Sequence, residues 1–465
     1  MSKMNLNPAV KFTAGYKTRK IKIFSGLSFL LILAISISGC SFSANSIQSI
    51  FVSPTPFSAD ESTLTTPTSI LPEAETTLTV VSPNSSEITT QHELTLWVPP
   101  QFDPNAETAA AIAFKNRLQS FMLDYPNVNV NVRIKAQTGT GGLMESLTTT
   151  SAAAPEALPT LILLNRSSLE TASLKGLILP LDERSSVIDD SDWYDYAREL
   201  AIIQGSVYGI PFVGDAALLV YRPSHFTTTP IDWETIDSMQ QPIIFPAADP
   251  EGLFTITMYR SLGGAIQDTQ LHPTLDAELL ESVFHLYENG ARSGVFPTWI
   301  TQYQNDSQAW QSYLDQNGNA VIIWSSRYLS ELPADSSATP VPALGTEPYT
   351  VADGWMWALA DLDPERQVLG IALAEYLVNG TFLSEYSPNS GYLPTRPTSL
   401  TTVTNQSLKT LISQLVVAAH VRPASDLTTT IGPIVQESTV QIIKRQTNSV
   451  EAATTVTDKL LPPEE

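Results

Sequence analysis

Residues 93–98 (ELTLWV) and 128–134 (VNVNVRI) alternate apolar and polar side chains, the period of strands that bury one face. Between them Ala110, Phe114, Leu118, Phe121 and Met122 recur at helical spacing, predicting a helix over 106–123 that ends before Pro126. Residues 160–164 (TLILL) form an apolar run of the kind that parallel sheets bury on both faces. Short helices are expected over 143–153, after Gly141-Gly142, and over 168–175, closed by Gly176. Strand, helix, strand, helix, strand, helix predicts an α/β layer with right-handed crossovers.

The pattern changes at 204–226 (QGSVYGIPFVGDAALLVYRPSHF). Residues 207–211 read as extended, because Pro211 keeps Ile210 out of the helical region and Gly209 relaxes the backbone. Gly214-Asp215 then predicts a break before a second strand at 216–221. That suits a chain passing from one compact body to another, and equally a bend within one sheet. Beyond it, strands are expected at 242–246, 319–324 and 349–359, the last with Trp355 and Trp357 on one face. Helices are expected at 253–262, 276–292 and 364–378, the last opened by Asp363-Pro364, and through most of 431–460.

Composition narrows the function. The chain carries 47 acidic and 25 basic residues, a net charge of −22, which disfavours nucleic acid and anionic lipid surfaces and suits neutral or cationic ligands. A single cysteine excludes an intramolecular disulfide and Cys/His metal clusters, and the five histidines show no ligand spacing. No metal or cofactor is expected. The N-terminus is different: residues 1–39 are basic without an acidic residue, and 23–37 form an apolar run of signal-peptide length. Ser38-Gly39-Cys40 follows and resembles a bacterial lipobox, which implies lipidation of Cys40. Residues 40–92 are rich in Ser, Thr and Pro with isolated apolar positions, the composition of a disordered stalk.

The order of motifs carries a resemblance. A strand ending at Trp97, then YPNVNVNVRI, LKGLILPLDE, GSVYGIPF and LVYRPSHF, behind a lipobox, resembles the extracellular solute-binding proteins of ABC importers, family 1, sugar-binding type. The likeness runs from about residue 93 to the C-terminus. It departs from the family at Pro159-Thr160, where Pro-Asp is usual, and at Tyr221-Arg222-Pro223, where Tyr-Asn-Lys is usual. It implies an α/β, two-lobed, periplasmic-binding-protein-like fold (type II), each lobe a mainly parallel sheet flanked by helices and joined by a hinge. Lobe 1 is expected at 93–213 and 315–342 and lobe 2 at 214–314 and 343–465, with crossings near 211–217 and 340–344.

The resemblance also implies a non-enzymatic monomer that captures a sugar or similar small polar solute between its lobes. It would deliver that solute to the permease subunits of an ABC transporter, from a lipid anchor on the outer face of the cytoplasmic membrane. A sugar site needs aromatic platforms and a few hydrogen-bonding side chains. The candidates are Trp97, Asp215, Trp324, Trp355, Tyr392 and Arg396. Each has an alternative: core packing for the tryptophans, a turn for Asp215, an ion pair for Arg396. Two other functions compete. A glycoside hydrolase needs two carboxyl groups about 5–10 Å apart, and the cluster Asp189, Asp190, Asp192 reads instead as a solvated loop. An adhesive surface lipoprotein would not need paired lobes.

Overall fold

The computed structural model describes residues 91–461. The expected signal peptide, Cys40 and nearly all of the stalk lie outside them; the fold begins at His92, the last residue assigned to the stalk. β1 (His92–Val98) pairs in parallel with β2 (Val128–Ile134) and with β3 (Leu161–Asn165). α1 (Ala109–Asp124) connects the first two; it starts three residues later than the apolar spacing alone predicts, because the Thr108 side chain accepts from Ala111 N and caps it there. α2 (Leu143–Ala153) leads to β3, and the Asn165 side chain caps α3 (Arg166–Leu174). α4 (Asp195–Ala201) then packs on the strand that follows.

That strand, β4 (Ile210–Tyr221), runs through the expected break without interruption. Gly214 and Asp215 are strand residues, partnered with Gly354 and Asp353 on a later strand. The glycine serves packing rather than a turn. A Cβ at Gly214 would collide with the Tyr196 hydroxyl of α4, and one at Gly354 would meet Leu200 Cδ1 at 2.7 Å. α4 therefore lies directly on a glycine-to-glycine crossing. Pro211, which has no N–H to give, sits opposite Met356 beside a register shift at Trp355/Met356.

The C-terminal half of β4 belongs to the second lobe. α5 (Trp233–Met239), capped by Asp232, leads to β5 (Ile243–Ile244), α6 (Leu253–Ser261), α7 (Ala277–Ser293) and α8 (Asp306–Leu314). β6 (Ala320–Trp324) lies between β5, in parallel, and Ala217–Tyr221 of β4, antiparallel. It is thus a second-lobe strand, although the sequence suggested lobe 1: its apolar run found edges to pair with only on that half of β4. α9 (Ser325–Glu331) follows at once, then β7 (Ser337–Pro340) on the other side of β4. Pro340 still pairs with Leu218, so no crossing occurs at 340–344.

The return comes along β8 (Thr350–Leu359), a second long strand that accompanies β4 through the hinge. Its far half, Trp355–Leu359, pairs antiparallel with β3. α10 (Pro364–Leu377) and α11 (Gly380–Ser390) then cover the first lobe, against β1 and α1, not the second as expected. Arg117 of α1 ties them down by donating to Tyr376 O at 2.6 and 3.0 Å. α12 (Gln406–Ala418) and β9 (Ala419–Val421), parallel to β8, lead back to the second lobe. α13 (Ser425–Ile443) and α14 (Ser449–Leu460) pack there on α6 and α7. The sheet order is β2-β1-β3-β8-β4-β6-β5, with β9 beside β8 and β7 beside β4. Pairing is parallel within β1–β3, β5–β6 and β8–β9, and antiparallel where β8 meets β3 and β4 and where β4 meets β6 and β7.

Candidate functional site

The long strand β4 carries a carboxylate, Asp215, where its pairing passes from β8 to β6. Asp215 accepts from Ser325 Oγ at 2.7 Å, Ser326 Oγ at 2.6 Å and Ser326 N at 3.0 Å. It thereby links the crossing strand to the start of α9 in the second lobe. Burial pushes its pKa up to about 7 despite those donors, and the nearby Asp306 adds to the rise. Asp215 is neither a turn residue nor free in solvent; it is half-buried and holds α9 in place.

Tyr392 approaches Asp215 from the first lobe. Its loop is fixed on β4 by a reciprocal pair, Gly214 N to Leu393 O at 2.9 Å and Leu393 N to Gly214 O at 2.8 Å. The half-buried ring stacks on Phe102 at 5.5 Å, and burial raises the pKa of its hydroxyl. Trp355 itself is only 6% exposed and packs edge-on against Phe102 at 5.4 Å. It packs on the same Phe102 ring that Tyr392 stacks on. Trp357, two residues on, is fully buried between Phe114 and Phe212, as core.

Two candidates stand apart. Trp97 is 2% exposed, with Lys135 Nζ 4.8 Å from its ring. Arg396 is buried under α11: it donates to Val378 O and Asp190 Oδ2, both at 2.8 Å, and lies 3.8 Å over the Trp193 ring. Asp192 is 3.7 Å from it and accepts from Thr398 N and Oγ1. The aspartate loop read as solvated is therefore the partner of Arg396, whose hydrogen bond holds the Asp190 carboxyl below its ordinary range. Arg396 thus braces the loop that carries Tyr392 through contacts within the protein.

Trp324, the last residue of β6, faces an opening. A cavity of about 260 Å³ lies at the carboxyl ends of β5 and β6, where open α/β sheets bind ligands. Trp324, Phe245 and Phe254 supply its aromatic surface, and Asp249, Glu251, Asp306 and Arg422 its charge. Asp306 accepts from Trp324 N at 3.1 Å and from Arg327 Nε at 3.3 Å. Burial raises the carboxyls of both Asp306 and Asp249. Arg422 joins the second lobe to the hinge, donating to Glu251 at 2.7 Å and Asp353 at 3.4 Å. A larger cavity, about 760 Å³, lies between α12 and the segment after β7, but no aromatic side chain and none of the candidate residues lines it.

Asp215, Trp324, Trp355 and Tyr392 are thus gathered about the hinge, while Trp97 and Arg396 are not. Sequence reasoning missed Asp306, Arg422, Phe245 and Phe254. Only Phe245 carried a legible signal, as the carboxyl end of the buried run PIIFP. Among the described residues, no group of three His, Cys, Asp or Glu is arranged to hold a metal, and no helix is long and apolar enough to cross a membrane.

Residues 119–411 match the model of a family described as bacterial extracellular solute-binding protein. No curated protein matches the chain by sequence. Solved structures match in fold. Maltose-bound MalE3 of T. maritima superposes with a TM-score of 0.62 at 16% identity, over 79% of this chain and 99% of that one. The cyclic α-maltosyl-1,6-maltose binding protein of Arthrobacter globiformis gives 0.66 at 14%, over 79% and 97%. UgpB of Mycobacterium tuberculosis, in complex with glycerophosphocholine, gives 0.62 at 15%, over 79% and 97%.

Proposed function

Since the chain belongs to the bacterial extracellular solute-binding protein family, we propose that it captures a carbohydrate between its two lobes and delivers it to the permease of an ABC transporter. One observation carries the ligand class: the cavity at the carboxyl ends of β5 and β6 combines an aromatic side chain, Trp324, with partly buried carboxylates. Sugars present CH faces to rings and hydroxyls to carboxylates and amides, which is the chemistry of that lining. Tyr392 is the aromatic platform on the opposite lobe, and Asp215 positions the start of α9 between them. Two of the fold relatives above were solved with or named for maltose-type sugars, and a third with glycerophosphocholine. Fold alone therefore leaves the solute to the lining. The chain acts as a monomer without cofactor and without turnover.

A thermal-shift screen over mono- and oligosaccharides, polyols and amino acids tests the reading. A true ligand at a hundredfold its Kd adds about 2.7 kcal/mol of stability and raises Tm. A rise with amino acids alone, or with none of the panel, sinks the carbohydrate reading. Anchoring through Cys40 places the protein at the outer face of the cytoplasmic membrane. Cys40→Ala is expected to stay uncut or to leave the membrane fraction; a processed protein still sedimenting with membranes contradicts the anchor.

A further inference from the structure

The electrostatics of the Trp324 cavity are unbalanced. Three carboxylates, Asp249, Glu251 and Asp306, line it against one guanidinium, Arg422. That guanidinium is already matched within the wall, by Glu251 at 2.7 Å and by Asp353 at 3.4 Å. Asp249 accepts only from backbone, Glu251 N and Leu253 N at 3.1 Å each, and forms no ion pair among the described residues. Asp306 faces Arg327 at 3.3 Å, but that guanidinium is half-exposed, where solvent screens its charge. Burial lifts both carboxyls above their ordinary range, so their donors do not replace the water they have lost. The Trp324 and Phe254 rings add aromatic surface to the same lining, and the negative faces of such rings favour a cation.

A neutral solute would leave this excess in place, and an anion would be repelled. A cation gains from carboxylates and rings together. We propose that the solute is a carbohydrate bearing a protonated amine, with the ammonium toward Asp249, Glu251 and Asp306 and a sugar face on Trp324. This rests on the carbohydrate reading and narrows it. The volume, about 260 Å³, suits an amino sugar unit rather than a long chain lying wholly inside the cavity.

The test compares amine and hydroxyl isosteres on the full chain in mild detergent. Calorimetry slightly below neutral pH would set glucosamine against glucose, and the β-1,4-linked glucosamine disaccharide against cellobiose. The amine member should bind at least about tenfold tighter at low salt, with the advantage shrinking as salt rises. Asp306→Asn and Glu251→Gln should each lower the amine-to-neutral affinity ratio several-fold; Glu251 is half-exposed, so its variant keeps the fold if the first does not. Equal or tighter binding of the neutral member overturns the charge inference while leaving the carbohydrate reading standing. Binding of neither member of either pair overturns both. An unchanged ratio in both variants also overturns the assignment to these carboxylates.

Discussion

Two strand tryptophans, one in each lobe, are held in opposite ways. In the first, Trp355 lies inside a strand paired on both edges, to Asn165 of β3 and Val213 of β4, with Phe102 against its ring. Every direction open to it is filled. In the second, Trp324 ends β6 and is followed directly by α9, so the sheet holds it on one side and the cavity opens on the other. An aromatic residue in a strand's interior becomes core, and one at its carboxyl end becomes available to a ligand. Arginine divides the same way: Arg396 is enclosed as a brace in the first lobe, while Arg422 borders the cavity near the hinge.

Mutations can break that contrast. The largest effect is expected from Trp357→Ala, which removes a fully buried ring and should cost about 3–5 kcal/mol of stability in denaturant titration. A loss below about 1 kcal/mol would mean that the first-lobe core is loosely packed around Trp357. Arg396→Ala comes next, at roughly 2–3 kcal/mol, since it strips Val378 O of its donor and empties the space over Trp193. Its solute affinity, measured while folded, should change little. A large affinity loss with an unchanged Tm would instead restore Arg396 as a ligand clamp.

Trp324→Ala should do the reverse, leaving Tm nearly intact and weakening solute binding by roughly 1–3 kcal/mol in calorimetry. Unchanged affinity would move the site away from β6. The most specific effect concerns Asp215. Its carboxyl is raised to about 7 in the folded protein, above its unfolded value of 3.8. Between those values the unfolded chain has lost a proton that the native state retains, so stability falls as pH rises from about 4 to 7 and levels off above. Asp215→Asn should flatten that part of the stability–pH curve. A slope identical to the parent's would show that Asp215 titrates normally.

Much of the fold was legible in the chain. Alternation at 128–134, the apolar runs at 160–164 and 319–324, and the cap at Asp363-Pro364 all mark elements that form where expected, because they depend on neighbours in sequence. The same local signals failed at Gly214-Asp215. A glycine and an aspartate in succession resemble a turn, but Tyr196 of α4 demands the missing Cβ and Ser325 and Ser326 satisfy the carboxylate. Those partners are remote in sequence.

Lobe membership depended on remote partners as well. The run at 319–324 announces a strand without saying which half of β4 it will join, and 364–390 announces helices without saying which sheet they cover. By itself the sequence determined the class of the molecule: an acidic α/β chain, with an order of motifs that places it among solute-binding proteins. Tertiary structure alone decided which candidates are free to meet a solute. Burial is set by what packs against a residue from elsewhere in the chain, and the sites that turned Trp97, Trp355 and Arg396 inward are supplied by segments that no local pattern connects to them.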